Sequence, residues 1–465
     1  MKVASLKERV RLLKDKVLNI RPSLCSERGR IVTESFEKTE GLPQLSRRAA
    51  AFKDTLENMS IHIAPGELIV GNQAGKPRAA PLFPEFSISF LEEELEDFPE
   101  RPFDAFEVDD ETRAVVKKIS PYWKGKTHED RVMALTRLVL PHDILVAWDE
   151  ESFVLDDVVY VGVRKASGDG HIIPDYEKLL AQGFQGVIQE ASKVAESLDL
   201  ATDPDAYRNK LFLEAVKTSY EAAVNFVLRY SRLAKEMSTE ATESRDDLRK
   251  LADVCQGIAD RPPHSFQEAL QLVYFIHLLI HIESNGHSVS LGRMDKHLYP
   301  YYKSDLDQGR LTRNEAVELV ECFYLKLFEL SKVRPWSETR YKSGYPLFMT
   351  ITLGGQTKDG DDATNELTYV FLDALAETRL PQPTVILRVH SKSPHELVAH
   401  ACEALAKHGG GLPAFFGDEV VVLALTRLGI SPDEARDYAI VGCSEAVVPG
   451  KSLSIVGGTC YFNLL

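Results

Sequence analysis

At 465 residues the chain is longer than one ordinary core requires, so one large layered domain or two domains are expected. Its 44% hydrophobic and 27% charged residues fit a globular protein, and a formal charge of −15 argues against nucleic acid or an anionic membrane as its main partner. The first ten residues are charged and amphipathic rather than signal-like, and no stretch approaches the roughly 20 apolar residues of a membrane helix, so a cytoplasmic location with no membrane partner is expected. The cysteines at 25, 255, 322, 402, 443 and 460 form no CxxC pair, which fits reduced thiols rather than a disulfide framework or a zinc site.

In chain order, residues 2–17 and 44–60 carry the apolar period of helices, the second with Ala49, Ala50, Phe52, Leu56 and Met59 on one face. Between Ile61 and Phe86, Pro, Gly and short runs such as Leu68-Ile69-Val70 predict loops with a strand or two. Phe86 to Phe98 begins apolar and becomes an acidic helix, and residues 110–140 are helical by period. Phe153 to Gly170 mixes Asp156 and Asp157 with Val and Tyr. Gly168 and Gly170 flank Asp169 and set His171 on a loop, with Pro174 expected to open the next helix.

Asp205 to Glu240 lacks Gly and Pro and reads as one long helix. Ser265 with Glu268 is a capping box for an apolar helix that stops at Glu283–Gly286, just before His287 and Ser288. His277 and His281 have metal-ligand spacing on that helix, but no third ligand stands at a matching distance, so no metal is expected. Arg293 and Asp295 are placed to pair.

From about Tyr345 the rhythm changes to strands at Leu347–Leu353, Thr384–His390, Pro413–Phe416 and Tyr438–Val441. They are separated by helices at about 364–378, from Ser393-Pro394 through Ala406, from Asp418, and after Ser431-Pro432. Strand and helix alternating at this spacing predict an α/β fold with a largely parallel sheet. A mainly helical region, 1–340, would precede a β/α region, 341–465. Gly409–Gly411 lacks the Lys-Ser/Thr of a phosphate loop and reads as a turn. Residues 460–465 are apolar without a helix stop, so the chain looks truncated or completed by another segment.

The most chemically suggestive stretch is Tyr438-Ala-Ile-Val-Gly442-Cys443-Ser-Glu445. A short apolar run ends at a glycine that permits a sharp exit, and a thiol and a carboxylate follow at what should be the carboxyl end of a strand, where α/β folds bind ligands. The same spacing also suits a structural thiol beside a solvated glutamate.

Gly442-Cys443-Ser444-Glu445 resembles the Gly-Cys-x-Glu loop of glycyl radical enzymes of the pyruvate formate-lyase superfamily, and specifically their dehydratase and eliminase branch. Similar segments recur in order: Gly170-His171-Ile-Ile-Pro-Asp-Tyr-Glu177, Glu283-Ser-Asn-Gly-His287-Ser288, Gly292-Arg293-Met-Asp295, Pro381-Gln-Pro-Thr384 and Pro449-Gly-Lys451. The resemblance implies a ten-stranded barrel of two parallel half-sheets wrapped by helices, of which this chain would hold the first half. The family's Arg-Val-x-Gly-Tyr radical loop does not occur here, so an N-terminal portion or one partner of a split enzyme is expected. An acidic residue expected about fourteen positions after the Cys in glycerol dehydratase is replaced near Gly457, which disfavours glycerol as substrate.

By the same resemblance, Cys443 becomes a thiyl radical that takes hydrogen from a hydroxyl-bearing carbon inside an occluded chamber. Glu445 is the general base, its pKa raised by lost solvation. His171 and His287 are the proton donors for the departing group, and Ser288 either binds a substrate hydroxyl or caps a helix. No cofactor is bound directly; a glycyl radical is expected on another segment, installed by a separate radical-SAM activase, and the assembly is expected to be a homodimer or larger. A C–C lyase of the formate acetyltransferase type is disfavoured because Ser444, not a second Cys, follows Cys443. An inactive or split subunit and a thiol hydrolase stay open, the last without a recognisable Asn or Asp partner.

Overall fold

A computed structural model of the chain describes residues 6–139, 141, 142, 145, 168, 170–241, 244–339 and 347–452, with the backbone of the strands at 154–155, 159–163 and 458–462. Asp156, Asp157, Asp169, Gly457 and residues 463–465 lie outside the described residues. The strands, in chain order, are β1 (Ser23–Cys25), β2 (Ala79–Pro81), β3 (Val154–Leu155), β4 (Val159–Val163), β5 (Gly292–Arg293), β6 (Thr350–Gly354), β7 (Thr384–Val389), β8 (Ala414–Gly417), β9 (Ala439–Val441), β10 (Glu445–Val447) and β11 (Gly458–Phe462).

Helices dominate the first 340 residues. The Ala206–Glu240 helix packs against those at Gln44–Asn58, Tyr176–Glu196 and Arg245–Asp260. Apolar on nearly every side, the Phe266–Glu283 helix is buried along almost its whole length, as such a composition requires. Its N-cap is half of the box expected. Ser265 accepts from the Glu268 amide, but the Glu268 carboxylate turns to Arg261 at 2.9 Å and to the His264 amide, because the guanidinium is the stronger partner.

Several local expectations are corrected. Leu68–Val70 forms no strand; the Val70 amide and carbonyl are both satisfied by the buried Gln271 side chain, at 2.9 and 2.8 Å. The acidic helix after Phe86 is only Ser89–Glu93, whereas the helical reading from 110 onward is met by two helices, Asp110–Trp123 and His128–Val139. Pro174 lies outside its helix, which Asp175 caps by accepting from the Lys178 amide. Ser393 accepts from the His390 amide rather than capping the helix that begins at His395. Arg293 pairs not with Asp295 but with Asp437 at 3.0 Å, while Asp295 accepts from the Gly354 amide and the Thr368 hydroxyl, each at 2.7 Å.

The parallel sheet runs β5-β6-β7-β8, with Ile351 opposite Val385 and Leu387 opposite Phe415. The helices Glu366–Thr378 and His395–His408 make the crossovers. Along β6 and β7 the period of two sorts the side chains. Ile351, Leu353, Val385 and Leu387 join the large core, whereas Thr350, Thr352, Ile386 and Arg388 point to the other face. The expected fourth parallel strand departs from the pattern. β9 turns back at Gly442 into an antiparallel hairpin with β10, Val441 opposite Glu445, and this hairpin docks on the Thr350/Thr352 face rather than on a sheet edge.

Candidate active site

Three stretches distant in sequence converge at the hairpin tip. The loop carrying His171 and the segment from His287 are joined by the His171 amide donating to the His287 carbonyl at 3.0 Å and the Ser290 amide donating to the Ile172 carbonyl at 2.9 Å. Gly170 is required there, because a Cβ at that position would lie 1.9 Å from the His287 carbonyl oxygen. The next layer is set by the Ser288 amide donating to the Leu347 carbonyl and the Leu291 amide donating to the Thr350 carbonyl, which holds the histidine loops beside β6.

His171 Nδ1 stands 2.7 Å from Glu445 Oε1. A carboxylate only accepts, so this nitrogen carries the proton. The rings of His171 and His287 lie edge to face at 5.3 Å, and Phe348 flanks His287 at 6.1 Å. Glu445 Oε2 accepts from the amides of Cys443 and Ser444 at 2.9 and 3.0 Å. Ser288 is fully buried, and its hydroxyl has no hydrogen-bond partner among the described residues. Being unengaged, that hydroxyl does not cap a helix.

Two expectations about the environment are overturned. Cys443 is exposed in this chain, not enclosed. The Glu445 carboxyl is not raised. Partial burial pushes it up, but the amide hydrogen bonds at the hairpin tip and the neighbouring imidazole outweigh that and hold it below its ordinary value.

His277 and His281 lie behind this site on the Phe266–Glu283 helix, fully buried, with ring centroids 4.6 Å apart. Burial drives His277 down to about 3 and His281 well below the ordinary range, so both are neutral imidazoles. Among the described residues, no group of three or more His, Cys, Asp or Glu could hold a metal ion, and no helix is long and apolar enough to cross a membrane.

The structure thus brings Cys443, Glu445, His171 and His287 to one hairpin tip, with Ser288 following His287 in the chain and bonded through its amide to Leu347. Sequence reasoning missed Phe348, which sits at φ +53° against His287, and the two β6 threonines under the hairpin. The alternation of Thr with Ile and Leu in Thr350-Ile-Thr-Leu353 was the available signal for the threonines.

A family model described as pyruvate formate lyase-like matches residues 4–465. The chain is 36% identical over 458 residues to the probable dehydratase YbiW of Escherichia coli (strain K12), which covers 97% of this chain and 55% of that protein. It is 34% identical over 449 residues to the (2S)-3-sulfopropanediol dehydratase of Klebsiella oxytoca, covering 95% of this chain and 53% of that protein. Among solved structures, the glycerol-bound form of the B12-independent glycerol dehydratase from Clostridium butyricum superposes with a TM-score of 0.89 at 39% identity, over 96% of this chain and 55% of that one. The chain spans about half the length of the relatives it matches.

Proposed function

Since the chain belongs to the pyruvate formate lyase-like family, we propose that it carries the thiol and acid–base half of a radical lyase that eliminates water or another small group from a hydroxylated substrate. The contact that carries this reading is His171 Nδ1 to Glu445 Oε1 at 2.7 Å, two residues from the Cys443 thiol. It joins a carboxylate base to an imidazole beside a thiol, a group suited to hydrogen-atom transfer.

The family implies a glycyl radical, and the residues present fit it, because the Cys443 thiol stands two residues from the carboxylate that meets His171. When present, its chemistry is removal of the hydrogen atom from Cys443. The Cys443 sulfur then takes a hydrogen atom from the hydroxyl-bearing carbon. Glu445, ionised at neutral pH, accepts the proton of that hydroxyl as the carbon–oxygen double bond forms. The neighbouring leaving group departs with its bonding electrons and takes a proton from the imidazole side of the site, His171 or His287. Hydrogen returned from Cys443 to the product carbon closes the balance, so a vicinal diol gives a carbonyl compound and water. Ser288 supplies an unengaged buried hydroxyl for orienting a substrate oxygen.

Activation by a radical-SAM activase, a homodimeric or larger assembly and a cytoplasmic, oxygen-poor setting belong to the same proposal, as does the division at about residue 340. The test is anaerobic activation of the full-length enzyme. A glycyl electron-spin signal with turnover lost in Cys443→Ala is expected; turnover retained in that variant excludes the thiyl role. A glycyl signal without turnover on any diol, sulfonate or hydroxyproline probe favours an inactive subunit.

A further inference from the structure

Four backbone groups leading to Cys443 are held by side chains instead of by a neighbouring strand. The Arg436 and Tyr438 carbonyls accept from Arg388 at 2.9 and 2.7 Å. The Ile440 amide donates to the Thr352 hydroxyl at 3.0 Å, and the Gly442 carbonyl accepts from the Thr350 hydroxyl at 3.1 Å. Positions 438, 440 and 442 are two apart, so they share one edge of the strand, and Arg436 lies in the turn that leads into it. The opposite edge of β9 is taken by β10.

We propose that Thr350 and Thr352, with Arg388, are positioning residues that set the register of the Cys443 hairpin; this rests on the reading of Cys443 and Glu445 given above. A hairpin of two three-residue strands has little stability by itself, so its placement must come from what it lies on. A slip of one residue would carry alternate side chains to the other face and separate Glu445 from His171. The side-chain ladder prevents that slip, because each step matches one backbone group to one donor or acceptor, and the steps at Tyr438, Ile440 and Gly442 are buried. Thr350 is the last grip before the sulfur. Fixing the strand through side chains also lets it sit over the sheet face, which a strand bonded to a sheet edge cannot do. Arg388 is itself locked by Asp418, with two contacts of 2.8 Å, so the outer end of the ladder is rigid.

Valine keeps the shape of threonine and lacks its hydroxyl, so Thr350→Val and Thr352→Val remove the bonds while the packing stays close. In the reduced full chain, iodoacetamide labelling of Cys443 is followed by mass spectrometry against Cys402, an exposed thiol on the His395–His408 helix that serves as reference. Hydrogen exchange of the Ile440 amide is followed in parallel. The Cys443-to-Cys402 rate ratio should rise about fivefold or more in Thr350→Val, Ile440 exchange should quicken by a similar factor in Thr352→Val, and Thr350→Ser and Thr352→Ser should restore the native values. If one valine variant does not fold, the other with its serine counterpart decides. Ratios and exchange unchanged to within about twofold in the folded valine variants overturn the proposal. Neither readout uses turnover, so this result is separate from that of Cys443→Ala in the activated enzyme.

Discussion

Oε1 of Glu445 meets Nδ1 of His171 at 2.7 Å while Oε2 of the same carboxylate holds the amides of Cys443 and Ser444. One side chain therefore shapes the thiol turn and engages the imidazole. Replacing it as Glu445→Gln keeps the size and loses the base. Turnover of the activated full-length enzyme should fall by about two to four orders of magnitude, measured as kcat.

The same carboxyl sets a pH dependence. Burial raises it, but the tip amides and His171 prevail, so its folded value lies below the ordinary 4.5. With a depressed value the ionised form is favoured on folding. Both base function and the associated stability are then present above the unfolded value and lost only as pH falls through the folded one. The kcat/KM profile should show no acid limb from this group above about pH 4.5. A limb near pH 6 that vanishes in Glu445→Gln would contradict the assignment.

Gly442 tests the geometry of the turn. It sits at φ +60°, and a Cβ there would lie 2.8 Å from both Glu445 Oε2 and His171 Nδ1. Gly442→Ala should cost about 1–2 kcal/mol from the left-handed backbone alone, read from urea denaturation. The steric displacement of the base–imidazole pair should also abolish turnover.

Arg388 and Asp418 are both fully buried and bidentate, and the guanidinium stacks over Tyr438 at 3.8 Å. Asp418→Ala leaves that charge buried without a carboxylate and should destabilise the chain by about 3–5 kcal/mol. The pairing of Asp418→Leu with Arg388→Met should lose less than Asp418→Ala alone. Equal losses would mean that packing, not charge, holds this corner.

Glu318 supplies a stability prediction remote from the site. Burial lifts its carboxyl to about 7; Arg9, at 3.1 Å, pulls it down only in part, and Asp247 and Glu315 push it further up. Folding therefore takes up a proton at this position, and its contribution is complete below pH 4.5 and lost as pH rises through about 7. Glu318→Gln should raise the Tm at pH 8.5 relative to the native chain and leave the difference smallest at pH 5. A Tm difference independent of pH would refute the raised value.

Local elements and candidate chemistry were legible from the residues. Periodicity located helices such as Gln44–Asn58 and Ala206–Glu240 and the strands β6, β7 and β8, because spacing alone dictates which side chains share a face; it missed β5 and the helices Arg245–Asp260 and Arg313–Phe328. The order of short motifs around Gly442-Cys443-Ser-Glu445 pointed to the family and to Cys443, Glu445, His171, His287 and Ser288. That β9 leaves the sheet, that the Glu445 carboxyl is depressed rather than raised, and that Cys443 is exposed on this chain were set by long-range packing. Those outcomes depend on which groups from β6, β7 and the His171 loop arrive at the hairpin. The alternation of Thr with Ile and Leu puts Thr350 and Thr352 on one face, but what arrives on that face, Gly442 and Ile440, is fixed by the tertiary structure alone.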